Sequence, residues 1–480
     1  MFRGLDWATI IIYLIMVLAG AVSIYAASYD FDEASLFSFA EFSGKQIRWI
    51  GLALVLGMFL LLVESRIYDT YAYVVYTAVI FLLVVTRFVA PDIKGSHSWI
   101  VLGPMSLQPA EFAKCATALA LAKLFSGYNF VLNAKLSNYL KACGIILLPV
   151  ALILLQNETG SALVFLSLFF VLYREGMSGL VLFSALLAVV VFVVTVKFAD
   201  TATLGMQTGQ FTILVIVMLV MVGMIAMYAR KRPEVTRNIA IFFGASGLVV
   251  WILTDLCGVE LPGMPVLLGV IGAGCVYATV EALRCHLMKL LIPVAAALFS
   301  VVFMFMVNIA FDQLLQPHQQ QRIKVVLGIE EDLRGAGYNV NQSKIAIGSG
   351  GFAGKGFLGG TQTKLKYVPE QHTDFIFCTI GEEEGFIGTI AVELLFVLLI
   401  LRCVAIAERQ PTVFGRVYAY SVASYLIFHF CINIGMVIGL CPVIGIPLPF
   451  FSYGGSSLWG FTILIFIMLK IDASRKSYFR

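Results

Sequence analysis

The chain has 480 residues, of which 60% are hydrophobic and only 12% charged, with a formal net charge of +4 and a mean hydropathy of +0.95. A soluble globular domain carries about 25% charged residues, so this composition excludes one and points to an all-α, polytopic integral membrane protein. No basic tract suggests nucleic acid, and the nine cysteines form no CxxC pair and lie mostly in apolar runs, where they read as small buried side chains.

A helix crosses a bilayer with about 20 apolar residues. On that criterion the predicted spans are 7–27, 46–64, 70–90, 108–127, 138–156, 160–173, 177–199, 211–230, 237–257, 264–284, 287–311, a segment within 374–407, 415–440 and 454–471, fourteen in all. The first lacks a small-residue cleavage site and is expected to be a retained helix, not a signal peptide. The sixth is short, and its first residues, after "QNETGS", read as a re-entrant turn. With the N-terminus in the cytoplasm, the inside loops collect Arg66, Lys135, Lys141, Arg174, the run "RKRPEVTR", Arg284, Lys289, Arg402, Arg409, Arg416 and the basic tail. The outside loops hold few cations, and that asymmetry orients the helices with both termini cytoplasmic. The loop 91–107 and the long hydrophilic stretch 312–373 are then extracytoplasmic. Long structureless loops are uncommon in compact proteins, so the second is expected to be ordered against the membrane face.

The polar residues at membrane depth come next. In "WIVLGPMSLQPAEFAK", Trp99 suits the outer interface, whereas Gln108, Glu111 and Lys114 enter an apolar span. Glu111 and Lys114 are three apart and share a helix face. They read either as a structural ion pair or as a functional site, the default for intramembrane charge. Glu158 of "QNETGS" stands at an outer edge. In the long loop, "IGSGGFAGKGFLGG" fails the P-loop spacing; its glycines serve tight turns, or their N–H groups and Lys355 meet an anionic head group. The loop ends in "YVPEQHTDFIF". Asp374 there is either a helix N-cap or a partly desolvated carboxylate suited to act as a general base. The acids of "GEEEGF" either line a polar cavity or belong to a surface helix over 374–384, with the true span starting near Phe386. The prolines and glycines of "GIPLPFFSYGGSS" break a helix where only protein or a cavity tolerates broken backbone.

Together these strings resemble the SEDS family (shape, elongation, division and sporulation). The resemblance runs through "WIVLGPMSLQPAEFAK", "QNETGS", the stretch from Gly337 to Phe377, "EEEGFIG", "NIGMVIGLCPVIGIPLPFFSYGGSS" and the basic tail. "GTQ" and "PEQHTDFIF" favour its elongation-type branch over the division-type one. It implies a ten-span core, and residues 200–300 look like four added spans. The organisation expected is 1–199, N-terminal core helices; 200–311, inserted helices leading into the last span before the loop; 312–373, large extracytoplasmic loop; 374–471, C-terminal core helices; and 472–480, cytoplasmic tail. The family's "QPDLGT" is "QNETGS" here, so Asn157 replaces a proline and Glu158 an aspartate.

The resemblance also implies an activity: polymerising glycan strands from lipid II outside the bacterial cytoplasmic (inner) membrane during elongation, with a class B penicillin-binding protein and the elongation machinery as partners. The acid of the family's HTDF motif, here Asp374, is its leading catalytic candidate. Substrate-binding candidates are Trp99, Gln108, Glu111, Lys114, Glu158, Glu370 and His372, with Lys114, Arg322, Lys344 and Lys355 for the polyprenyl diphosphate by charge complementarity. A divalent cation (Mg or Mn) could share that task with acidic ligands, although no ligand cluster marks one. The rival readings are a lipid II flippase, a division-type polymerase and a scaffold. A flippase needs no one-sided acid, and a scaffold leaves the buried charges unexplained.

Overall fold

The computed structural model describes residues 4–29, 42–93, 95–103, 105–259, 261–313, 315–330 and 337–475. Of the basic tail used above in the charge pattern, residues 476–480 lie outside the described residues. The elements are α1 (Trp7–Ser28), α2 (Phe42–Leu62), α3 (Ser65–Thr70), α4 (Ala72–Val89), β1 (Ile100–Leu102), β2 (Met105–Leu107), α5 (Pro109–Phe125), α6 (Leu136–Leu155), α7 (Thr159–Phe165) and α8 (Leu168–Arg174). There follow α9 (Gly179–Lys197), β3 (Ala202–Thr203), β4 (Met206–Gln207), α10 (Thr208–Tyr228), α11 (Pro233–Trp251), α12 (Gly263–Arg284), α13 (Leu291–Gln313) and α14 (Pro317–Val326). The last are α15 (Tyr338–Gly350), α16 (Thr361–Lys364), α17 (Ile376–Glu383), α18 (Gly385–Glu408), α19 (Val413–Val437) and α20 (Gly455–Ser474).

Twelve helices among the described residues are long and apolar enough to span a bilayer. The two other expected spans are present in altered form. α5 is only 17 residues long and carries Glu111, Lys114 and Lys123. The sixth is broken into α7 and α8, two seven-residue helices.

The chain forms two compact units, residues 1–177 with 338–480, and residues 178–337. In the first, α5 is the central post, packed against α4, α6, α19 and α20. Six alanines on α5 let those neighbours approach closely, and its buried positions run round the whole helix. Pro109 opens it at the position where a missing N–H costs nothing. Around α5, α2 packs on α20, and α18 on α19. One end of this bundle is stapled by charge. Asp6, before α1, accepts from Arg402 and Arg409 of the α18 end, and Arg409, Gln410 and Arg475 donate to Asp472 of α20. Arg416 grips Glu175 nearby in the same manner.

At the other end the part of the long loop from Tyr338 onward folds onto the bundle, α15 lying against α17 and α19. The acids of "GEEEGF" fall at the break between α17 and α18. The span does start at Gly385, but α17 is a separate buried helix, not a surface one. The break is forced by a close approach. Gly385 has φ +64°, and a Cβ there would stand 2.2 Å from the Gly354 nitrogen, while one on Gly354 would stand 2.1 Å from the Glu383 carbonyl oxygen.

The second unit holds α9–α14. α9, expected with the N-terminal core, packs with α10 and α13. The unit has an apolar core of its own, including Leu214, Val217, Met221, Ile271, Ala278 and Met304. An apolar cavity of 640 Å³ opens between α10, α11 and α12, beneath the β3–β4 turn.

Candidate active site

The first unit contains a cavity of 140 Å³ at the end opposite the charge staples. Trp99, Gln108, Glu111, Lys114, Glu158 and Asp374 all line it, together with Ser161, Thr373, His429, Tyr453 and Ser457. Six of the eleven site residues expected from sequence therefore converge from four separate segments.

The floor comes from α5. Glu111 and Lys114 are 3% and 2% exposed, and the ammonium stands 2.7 Å from Glu111 Oε2. It also donates to His429 Nε2 at 3.1 Å and rides 4.3 Å over the Phe461 ring. Two charges at this depth persist only as a well-enclosed pair. The α5 entrance is sewn to α20: the Gln108 N–H donates to Ser456 Oγ, which donates to the Ser106 carbonyl.

One wall is the "QNETGS" turn. Ser98 donates to Glu158 Oε2 at 2.5 Å, Ser161 donates to Oε1 at 3.4 Å, and Gln108 reaches Ser161 at 3.3 Å. Trp99 follows Ser98 directly and leads into the β1–β2 hairpin, so a single turn presents both the indole and the partner of Glu158.

Asp374 closes the cavity, half-buried. It does not cap α17, whose N-cap residue is Phe375. Its backbone carbonyl accepts from Asn433 Nδ2 at 2.8 Å. Its Oδ2 is 3.4 Å from where a Cβ of Gly445 would stand, and Gly445 itself has φ +70°. A glycine therefore serves both the turn and the space beside the carboxylate.

The remaining expected residues lie elsewhere. His372 stacks on Phe42 at 4.3 Å, and its carbonyl accepts from Tyr453 N–H at 2.8 Å. Glu370, at φ 53°, accepts from Thr373 Oγ1 at 3.1 Å. Both brace the Asp374 turn without lining the cavity. Lys344 is exposed on α15 with its ammonium beside Gly439, and Arg322 belongs to α14 in the second unit.

Lys355 donates to Glu382 at 2.6 Å and to Thr361 at 2.9 Å. Glu382, fully buried, gathers the N–H groups of Thr361, Gln362 and Thr363 at 2.8–2.9 Å. Burial pushes its carboxyl up, but Lys355 and these backbone donors outweigh that and hold it down at about 2. The glycine run is thus a turn-and-packing device built around Glu382. Among the described residues no three His, Cys, Asp or Glu side chains gather closely enough to hold a metal ion.

The family model for FtsW/RodA/SpoVE cell cycle proteins matches residues 6–215 and 206–477. The chain belongs to this family. A Treponema pallidum relative named peptidoglycan glycosyltransferase RodA is 30% identical over 468 residues, covering 98% of this chain and 97% of its own. Escherichia coli K12 peptidoglycan glycosyltransferase MrdB is 29% identical over 473 residues, covering 98% and 94%. A solved chain described within a peptidoglycan synthase complex coordinating polymerization and crosslinking superposes with a TM-score of 0.61, at 22% identity over 99% of both chains. At that identity it speaks for the fold alone.

Within this FtsW/RodA/SpoVE member, the sequence reading missed His429 and Asn433. A lone histidine inside a predicted span is a signal in itself, and Asn433 four residues on shares its helix face. What the sequence could not supply was their partners, Lys114 and Asp374, which come from distant parts of the chain.

Proposed function

We propose that this chain is a peptidoglycan glycosyltransferase that polymerises lipid II into glycan strands during cell elongation, with Asp374 as the general base. The observation that carries the reading is the convergence of Asp374, Glu158, Trp99, Gln108 and the Glu111–Lys114 pair on one cavity, in a chain aligned almost end to end with proteins named for that activity.

The C4 hydroxyl oxygen of one lipid-linked disaccharide attacks the anomeric carbon of the growing strand. As the new C–O bond forms, the bond to the diphosphate breaks, and the polyprenyl diphosphate leaves with the bonding electrons. The hydroxyl proton passes to Asp374. Lys114, the cation among the residues lining the cavity, lies where negative charge accumulates on the leaving group. Glu158, oriented by Ser98 and Ser161, accepts hydrogen bonds from sugar hydroxyls, and Trp99 offers a face for a sugar ring or the lipid path. Apolar helix surfaces hold the polyprenyl chain.

The cavity faces the extracytoplasmic side of the bacterial inner membrane, and both termini are cytoplasmic. Supporting this orientation, Arg416 and Arg475 lie at the ends of α19 and α20 opposite their cavity-lining residues, and Arg402 and Arg409 join the same cluster of staples, as cytoplasmic arginines do. The partner is a class B penicillin-binding protein, which crosslinks the strands.

The test uses the purified chain with that partner and lipid II, and follows glycan polymer. Wild type makes polymer, and Asp374→Asn makes none while the complex stays folded. Polymer from Asp374→Asn at the wild-type rate refutes the base assignment. No polymer from wild type, with lipid II crossing vesicle bilayers, replaces the polymerase with a transporter.

A further inference from the structure

The two groups assigned to proton removal and leaving-group stabilisation stand on different elements, Asp374 before α17 and Lys114 on α5. Their side chains face the same 140 Å³ space. A single face of α19 contacts both supports.

Asn433 uses both amide protons. Nδ2 donates to the Asp374 carbonyl at 2.8 Å and to the Ile446 carbonyl at 2.7 Å. One turn earlier, His429 Nδ1 is 3.0 Å from the Pro447 carbonyl. A carbonyl only accepts, so Nδ1 carries the proton; in a neutral ring Nε2 is then the acceptor. That atom is the one receiving the Lys114 ammonium at 3.1 Å. Phe461 meets the imidazole edge-on at 4.9 Å while its face underlies the ammonium. Glu111 Oε2, 2.7 Å from Lys114, is the ammonium's ion-pair partner, and His429 Nε2 is its second acceptor.

We propose that α19 is a ruler for the site, with His429 and Asn433 as positioning residues that set the spacing between Asp374 and Lys114. Both also clamp successive carbonyls, Ile446 and Pro447, of the cavity-lining α19–α20 connection. Base, cation and that stretch of wall are thereby registered to one rigid helix. The inference rests on the polymerase reading above. Misplacement of reacting groups by about 1 Å costs about 100-fold in rate, and loosening either clamp acts on that scale.

The experiment measures kcat and KM for lipid II in the complex with the penicillin-binding protein. His429→Leu lowers kcat about 100-fold with KM held within about twofold. His429→Gln, whose amide both accepts and donates, recovers at least about tenfold of that loss at unchanged thermal stability. Equal kcat for the Leu and Gln variants overturns the proposal, as does a loss confined to KM. Should the Leu variant not fold, Asn433→Ser decides: a fall in kcat at constant KM supports the ruler, and wild-type kinetics overturn it. A second readout needs no turnover. The 15N spectrum of histidine-labelled protein, assigned by difference against His429→Gln, shows Nδ1 protonated and Nε2 bare, with a shift at Nε2 on Lys114→Met. An Nε2–H tautomer overturns the ruler even if wild type makes no polymer, which by itself would defeat only the polymerase reading.

Discussion

The Glu111–Lys114 pair offers a test that separates stability from chemistry. Lys114→Met removes the ammonium and leaves a carboxylate that is 3% exposed without its counter-charge at 2.7 Å. Removing one partner of a buried pair costs about 3–5 kcal/mol. His429 Nε2 loses its donor as well, which adds about 1–3 kcal/mol. Glu111→Gln on top of Lys114→Met removes the stranded charge. The double variant should regain most of the stability lost by the single one, read as thermal unfolding of the detergent-purified complex. If Lys114 serves only to neutralise Glu111, polymerisation returns with stability. On the reading proposed here it does not return: a transition-state charge without its preorganised partner costs about 100-fold or more. Wild-type polymerisation by the stable double variant would refute the assignment of Lys114 to the leaving group. A Lys114→Met variant melting with wild type would refute the buried-pair energetics from which the argument starts.

Other outcomes follow from single atoms. Because the Glu382 carboxyl is held at about 2 against an ordinary 4.5, its contribution is complete above about pH 4.5 and is lost as pH falls towards 2. It amounts to on the order of 3 kcal/mol, and Glu382→Gln should flatten the acid limb of thermal stability against pH. Asn157 sits at φ +61°, which proline, fixed near −65°, does not adopt. Restoring the family's proline there should destabilise the turn and displace Glu158, lowering polymer yield, whereas Asn157→Gly should be tolerated; equal activity of the two variants would contradict the turn. Gly445→Ala forces a side chain into the left-handed region, at a cost of about 1–2 kcal/mol, with its methyl 3.4 Å from Asp374 Oδ2. A fall in kcat is expected, and unchanged kinetics would show that this wall is not tight against the base.

What was legible in the sequence was whatever solvent alone dictates. A bilayer demands long apolar helices and penalises every charge placed inside them, so both the spans and the suspects Glu111 and Lys114 could be read without a fold. α5 shows where this stops: with 17 residues and an ion pair it is a poor membrane helix by composition, and it is stable because protein surrounds it. Its sheath comes from α4, α6, α19 and α20, a packing that no local window contains. Lys355 shows the complementary limit. Charge and flanking glycines suggested an anion ligand, yet the anion it holds is Glu382, from the chain itself and 27 residues on. A cation in a loop declares only that it needs a partner. Lys114 differs from Lys355 in a way the structure makes physical: its partners Glu111 and His429 are themselves buried, and all three line the cavity. A capping aspartate spends its oxygens on the first turn of its helix, whereas here Phe375 takes the cap position and the carboxylate is turned toward the cavity. The acid at the join of loop and span, Asp374, has its backbone carbonyl held by Asn433, and the residue lines the cavity.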